Sequence, residues 1–193
     1  GLQKTGTSYF QLFCKSNRSH LKESCKISYL SLEEIFPYWP KSENYSSNHN
    51  KIASHFADYS SSFMPITREE LQILEQTIID TLKEHHVVLC AEEFSRQVNL
   101  QSLSNFCTRI LDKTSAELII SFVLREPKIW AQSMFNQYNK QRLLNFIQND
   151  KAIGELVLTP HGMAGFLKQQ GYFRLVNQAN LIAHWEKNVT NGK

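Results

Sequence analysis

At 193 residues the chain has room for one domain with a sizeable core, and a second independent core would strain that length. Hydrophobic residues at 41% and charged residues at 20% are ordinary globular usage, which argues against a disordered or fibrous class. A net charge of +3 without clustered Lys/Arg runs suits an anionic small ligand and speaks against a nucleic-acid surface.

The chain opens on a loop, GLQKTG, that leads directly into a helix expected from about Thr7 to Glu23, with Tyr9, Phe10, Phe13, Cys14 and Leu21 at roughly helical spacing. From Lys26 to Phe63 the sequence is rich in Ser, Asn, Tyr and His. Its short apolar pieces, ISYL and IASHF, predict irregular structure with one or two short helices. Thr67 with Glu70 forms a capping box, and Leu71, Leu74, Ile78 and Leu82 follow on one face, so a helix runs from Thr67 to Glu84.

HVVLCA, His86 to Ala91, then reads as a short buried strand. A helix follows from about Leu100 to Lys113, directing Leu103, Phe106, Ile110 and Leu111 inward. ELIISFVL, Glu117 to Leu124, has the same apolar continuity and predicts a second buried strand. Pro127, a residue favoured in a first helical turn, opens a long helix to about Asn149. From Thr159 to about Lys187 the pattern gives two helices broken at Gly171.

Strands alternating with helices from Thr67 onward are the α/β signature, a parallel sheet flanked by helices, in one domain spanning Gly1–Lys193. Ligands of such sheets bind beyond the carboxyl ends of the strands. Lys4 on the opening loop, Glu92 after the first strand and Arg125 after the second all fall there.

The opening loop has the parts of a phosphate cradle. Gly1 and Gly6 let backbone approach a ligand, Lys4 supplies a point charge, and Thr7 and Ser8 stand where free helix amides and the positive dipole end meet an anion. An exposed turn capped by Thr and Ser uses the same residues. A Walker A loop is excluded, because it needs Lys directly between the last glycine and Ser/Thr; here Lys4 lies two residues ahead of Gly6. A phosphate loop ordinarily follows a buried strand. The sequence as given begins on the loop, so a fragment lacking that strand is expected.

Cys14, Cys25, Cys90 and Cys107 have no CxxC spacing or paired His and read as small buried hydrophobes, with no zinc site. Triplets of the glycosylation type at Asn17, Asn44 and Asn188 arise readily in so Asn- and Ser-rich a chain. No run of about 18 apolar residues and no signal-peptide core is present, so the expectation is a soluble, cytoplasmic protein without a membrane segment.

With Lys ahead of its glycine, GLQKTGTS resembles the 5′-phosphosulfate-binding loop of sulfotransferases, commonly written PKTGTT or PKSGTT, with Gln3 where proline is usual. SFVLREPKIWAQSMFNQ adds a second likeness. Sulfotransferases hold the 3′-phosphate of 3′-phosphoadenosine 5′-phosphosulfate with an arginine at a strand end and a serine eight residues later, a spacing that Arg125 and Ser133 reproduce. An arginine fork suits bidentate phosphate recognition; a surface ion pair and a solvent-facing serine are the plainer alternatives. CAEEFSR resembles the SSEELSR-like segment of bacterial and polysaccharide-type sulfotransferases, with Cys90 and Ala91 in place of the serines. NHNKIASHF resembles their NHxxLA-like segment.

The resemblance implies a P-loop-like fold and transfer of a sulfuryl group from 3′-phosphoadenosine 5′-phosphosulfate (PAPS) to a hydroxyl or amine acceptor, a saccharide by the bacterial likeness, without metal. Lys4, Thr5, Gly6, Thr7 and Ser8 would hold the 5′-phosphosulfate, and Arg125 and Ser133 the 3′-phosphate. Lys4 and Glu92 take the catalytic roles: Lys4 offsets charge on the leaving phosphate, and Glu92 serves as base. Glu92 and Glu93 can instead be first-turn acids favoured by a helix dipole. His49 is placed beside the acceptor, or is simply a hydrogen-bonded residue. The relatives continue beyond the point where this sequence stops, with a strand and loop that complete the nucleotide pocket. Two rivals remain: a P-loop kinase-like phosphotransferase, which needs a Lys-Ser/Thr pair after the glycine and a magnesium carboxylate, and a non-catalytic binding protein on the same fold.

Overall fold

In the computed structural model, residues 7–36, 49–57, 66–92, 94, 99–148 and 178–190 are described. Two helices come first among the described residues, α1 at Thr7–Ser16 and α2 at Arg18–Cys25, where one was expected. Asn17 divides them. Its side-chain amide donates to the Phe13 carbonyl at 2.9 Å alongside its own backbone amide at 3.0 Å, and its backbone leaves helical angles at φ −109° and ψ 18°. Of the apolar residues at helical spacing, Cys14 is buried, whereas Tyr9, Phe10 and Phe13 are exposed.

Lys26 stops α2 in the left-handed conformation, φ 55°, and its amide returns to the Leu21 carbonyl. The next three residues form a strand that the sequence pattern assigned to irregular structure: β1, Ile27–Tyr29. It pairs in parallel with β2, His86–Val88, in the register Ile27 to His86, Ser28 to Val87 and Tyr29 to Val88. Three residues are too few for a periodic signal, so β1 gains its identity from its partner. The connection between them carries α3 (Leu32–Ile35), α4 (Asn50–His55) and α5 (Arg68–Thr81). A helical crossover is what a parallel pair requires.

The α5 capping box forms as its sequence specifies: Thr67 Oγ1 accepts from the Glu70 amide at 3.2 Å, and Glu70 Oε2 accepts from the Thr67 amide at 2.6 Å. After β2 come α6 (Leu100–Leu111), capped by Asn99, and α7 (Pro127–Gln148); α8 (Gln178–Trp185) runs into a π-helical turn over Glu186–Thr190. The boundary expected at Gly171 lies outside the described residues. Leu32, Ile35, Phe36, Ile52, Leu74, Ile78, Leu103, Phe106 and Trp185 join α3, α4, α5, α6 and α8 in one core. A smaller cluster of Trp130, Ala131 and Met134 lies on α7 itself, with Leu181 of α8 packed against it. Across α5 and α6, Glu75 accepts from Arg109 at 2.8 Å and Lys113 at 3.0 Å. Burial raises the Glu75 pKa, but these two cations outweigh it and hold the carboxyl below its usual range.

ELIISFVL corrects the sequence expectation. Residues 116–126 form no strand, and Ile119 is 81% exposed. Burial still alternates, with Ile120 and Phe122 half-buried against the main core and Ile119, Ser121 and Val123 outward. The segment lays one face on the core. It lacks a hydrogen-bonded neighbour among the described residues, because the sheet there has two strands, β1 and β2. Those residues therefore make a mostly helical, mixed α/β fold with a small parallel sheet.

Candidate functional site

Beyond Val88 the chain leaves the β2 ladder, and the amides and carbonyls of 89–92 need partners that no strand provides. The amide and carbonyl of Cys90 and the amide of Glu92 find them on two consecutive residues at the start of α4. His49 occupies the N-cap position but makes no capping bond with its side chain. Its ring, 1% exposed, turns into the core instead. The His49 amide donates to the Cys90 carbonyl at 3.1 Å, while the Cys90 amide donates back to His49 Nδ1 at 2.9 Å. Because the Cys90 amide can only donate and the Leu30 carbonyl at the end of β1 can only accept, Nδ1 is the acceptor and the ring proton sits on Nε2, which donates to Leu30.

One imidazole thus ties the carboxyl ends of both strands. Tyr29 meets the ring edge-on, with centroids 5.0 Å apart. Burial drives the His49 pKa below its ordinary value, outweighing the backbone hydrogen bonds that oppose it, so the ring is held neutral. Asn50, 6% exposed, continues the grip: its Oδ1 accepts from the Glu92 amide at 3.1 Å. The intervening Ala91 is buried at 1% exposure, as alternation along extended chain demands.

A third contact comes from α1. Gln11 is buried at 5% exposure and donates through Nε2 to the Cys90 carbonyl at 3.4 Å, with Cys90 Sγ at 3.6 Å. The helix that opens at Thr7 is thereby seated on the end of β2. Burial pushes the Cys90 thiol above its usual pKa, more than the Gln11 contact lowers it, and burial likewise raises Cys14. Both are protonated thiols at neutral pH rather than nucleophiles.

Glu92 lies four residues past the end of β2, half-buried, with its amide fixed by Asn50. Thr7 and Ser8 begin α1. Arg125 is exposed on the segment leading into α7, and Ser133 is half-buried two turns into that helix, beside the Trp130 and Met134 cluster. Lys4, Thr5, Gly6 and Glu93 lie outside the described residues. The hydrogen bonds therefore join the α1, α4 and post-β2 pieces, while Arg125 and Ser133 belong to the opening of α7. His49, proposed from sequence as an acceptor contact, has both ring nitrogens on backbone groups, the state of a satisfied core histidine.

Sequence reasoning did not single out Gln11 or Asn50. Gln11 carries a faint signal, a polar residue among Tyr9, Phe10 and Phe13, yet it is buried where they are exposed. Asn50 carries none beyond adjacency to His49. An open cleft of about 640 Å³ between α4, α5 and α6, lined by Arg68, Glu75, Arg109 and Lys113, shares no residue with this cluster. Among the described residues no group of three or more His, Cys, Asp or Glu side chains is placed to hold a metal ion, and no helix is long and apolar enough to cross a membrane. No protein-family model, curated protein or solved structure matches the chain.

Proposed function

We propose that the chain is a sulfotransferase on a P-loop-like fold, moving a sulfuryl group from PAPS to a hydroxyl or amine of a saccharide acceptor. The observation that carries the reading is the Gln11 contact. It seats α1, the helix opened by Thr7 immediately after GLQKTG, on Cys90 at the carboxyl end of β2, two residues from Glu92. Ligands of parallel sheets bind at that end, and the first amides of a helix have no intrahelical partner and suit an anion.

In this reading the amides at the start of α1 and the Thr5, Thr7 and Ser8 hydroxyls receive the 5′-phosphosulfate, and Lys4 lies against the oxygen that bridges sulfur and phosphorus. Glu92 takes the proton from the acceptor O–H as the acceptor oxygen bonds to sulfur and the bridging S–O bond breaks, releasing 3′-phosphoadenosine 5′-phosphate. Charge grows on the leaving phosphate, and Lys4 offsets it where it develops. Arg125 and Ser133 hold the 3′-phosphate, the group that separates this donor from ordinary adenine nucleotides.

Calorimetric titration of the full-length protein with 3′-phosphoadenosine 5′-phosphate, with adenosine 5′-phosphate and of the Arg125→Ala variant tests the reading. We expect binding that needs both the 3′-phosphate and Arg125, weakened at least about tenfold when either is missing. Equal affinity for the two nucleotides, or none for either by folded protein, overturns it.

A further inference from the structure

We infer that Asn50 is a positioning residue for Glu92, a role that rests on the sulfotransferase reading and deepens it. A general base acts only within hydrogen-bond reach of the proton it removes, and a displacement of about 1 Å can cost on the order of a hundredfold in rate. Glu92 stands beyond the last ladder pair of β2, Tyr29 with Val88, so the sheet itself does not fix its backbone. The fixing comes from α4. His49 holds residue 90 through a reciprocal pair of bonds, one from its amide and one to its ring. Asn50 Oδ1 holds residue 92 through its amide.

The two grips are consecutive in sequence and two residues apart on the strand extension, so they fix both the place and the direction of the chain at Glu92. Asn50 is 6% exposed and His49 1%, so solvent does not compete for the bonds. His49 is anchored in turn to Leu30, which makes the grip part of the strand ends rather than of a separate loop. Asn at this position supplies an acceptor of the right length. A buried acceptor facing a backbone amide explains a polar residue among Ile52, Ala53 and Leu30, all of them buried.

The test compares wild type, Asn50→Leu and Asn50→Asp in the full-length protein, measuring 3′-phosphoadenosine 5′-phosphate affinity, kcat against pH with a saccharide acceptor and PAPS, and amide hydrogen exchange at Glu92. Leucine keeps the branching at Cγ and removes the acceptor: we expect faster exchange at Glu92, kcat reduced about ten- to a hundredfold, and nucleotide affinity within about twofold of wild type. Aspartate restores the acceptor while adding a carboxylate beside Glu92. It is expected to restore slow exchange and recover kcat only at higher pH, the acid limb of the profile moving upward because a like charge disfavours the ionised base. Wild-type exchange and kcat in Asn50→Leu, with the wild-type protein active, overturn the positioning role alone. A wild-type protein that neither binds the nucleotide nor transfers overturns the sulfotransferase reading and this role with it. Loss of nucleotide affinity in step with kcat assigns Asn50 a merely structural role and also overturns it.

Discussion

HVVLCA and ELIISFVL have the same character in sequence, a short apolar run rich in β-branched residues, yet the first holds a strand and the second does not. Residues 86–88 meet β1 in parallel register, and residues 90 and 92 are then held by His49 and Asn50. Residues 117–124 place Ile120 and Phe122 against the core but leave Leu118, Ile119, Val123 and Leu124 exposed. Apolar content sets which side chains seek the core. A strand also needs a neighbouring backbone to accept its amides and carbonyls, and that neighbour is encoded elsewhere in the chain.

Core truncation next to the clasp tests the first region most severely. Ile52, in α4 three residues after His49, is fully buried, so Ile52→Ala is expected to cost about 2–5 kcal/mol through lost burial and the cavity left behind. Urea denaturation with an unchanged slope measures it; a loss below about 1 kcal/mol would mean that α4 is not anchored by this core.

A smaller effect, but one with a pH signature, comes from His49→Gln. Removing the imidazole while leaving an amide is expected to cost about 1–3 kcal/mol near neutral pH, the range for leaving a buried polar group unsatisfied. Because burial depresses the pKa of His49 in the folded protein, the unfolded chain binds the proton first. The stability due to the neutral ring is fully present above the ordinary value of 6.5 and is lost as pH falls through the depressed folded value. The gap between wild type and His49→Gln should therefore narrow below pH 6.5, and a gap independent of pH would contradict a buried neutral ring.

The smallest change is expected in the second region. Ile119→Ser, at a position 81% exposed, should alter stability by no more than about 0.5 kcal/mol, whereas Val87→Ser in β2 would remove half-buried surface. A loss of several kcal/mol would show that residue 119 is covered, and that the two apolar runs are equivalent after all.

Local chemistry carried much of this far. The box between Thr67 and Glu70 starts α5 at Arg68, and Pro127 opens α7, because caps and first-turn residues act on amides within one turn of themselves. The mixed α/β character followed from the same short-range patterns, and Glu92 could be located after a strand before any coordinates. Other features were beyond that reach. Ile27–Tyr29 is a strand because His86–Val88 lies beside it, 59 positions away in each register pair. The interruption at Asn17 is a departure of one residue's backbone angles, φ −109° and ψ 18°, inside an otherwise continuous helical pattern.

The burial of Gln11 and His49, and the grip of Asn50 on Glu92, depend on contacts between residues 19 to 79 positions apart, which composition and periodicity do not encode. By itself the sequence determined the helix starts, the apolar rows and the residue types on offer for a phosphate-like ligand. The tertiary structure decided which apolar run became a strand and which polar side chains were buried to hold its end, because both outcomes depend on partners that only folding brings within hydrogen-bond reach.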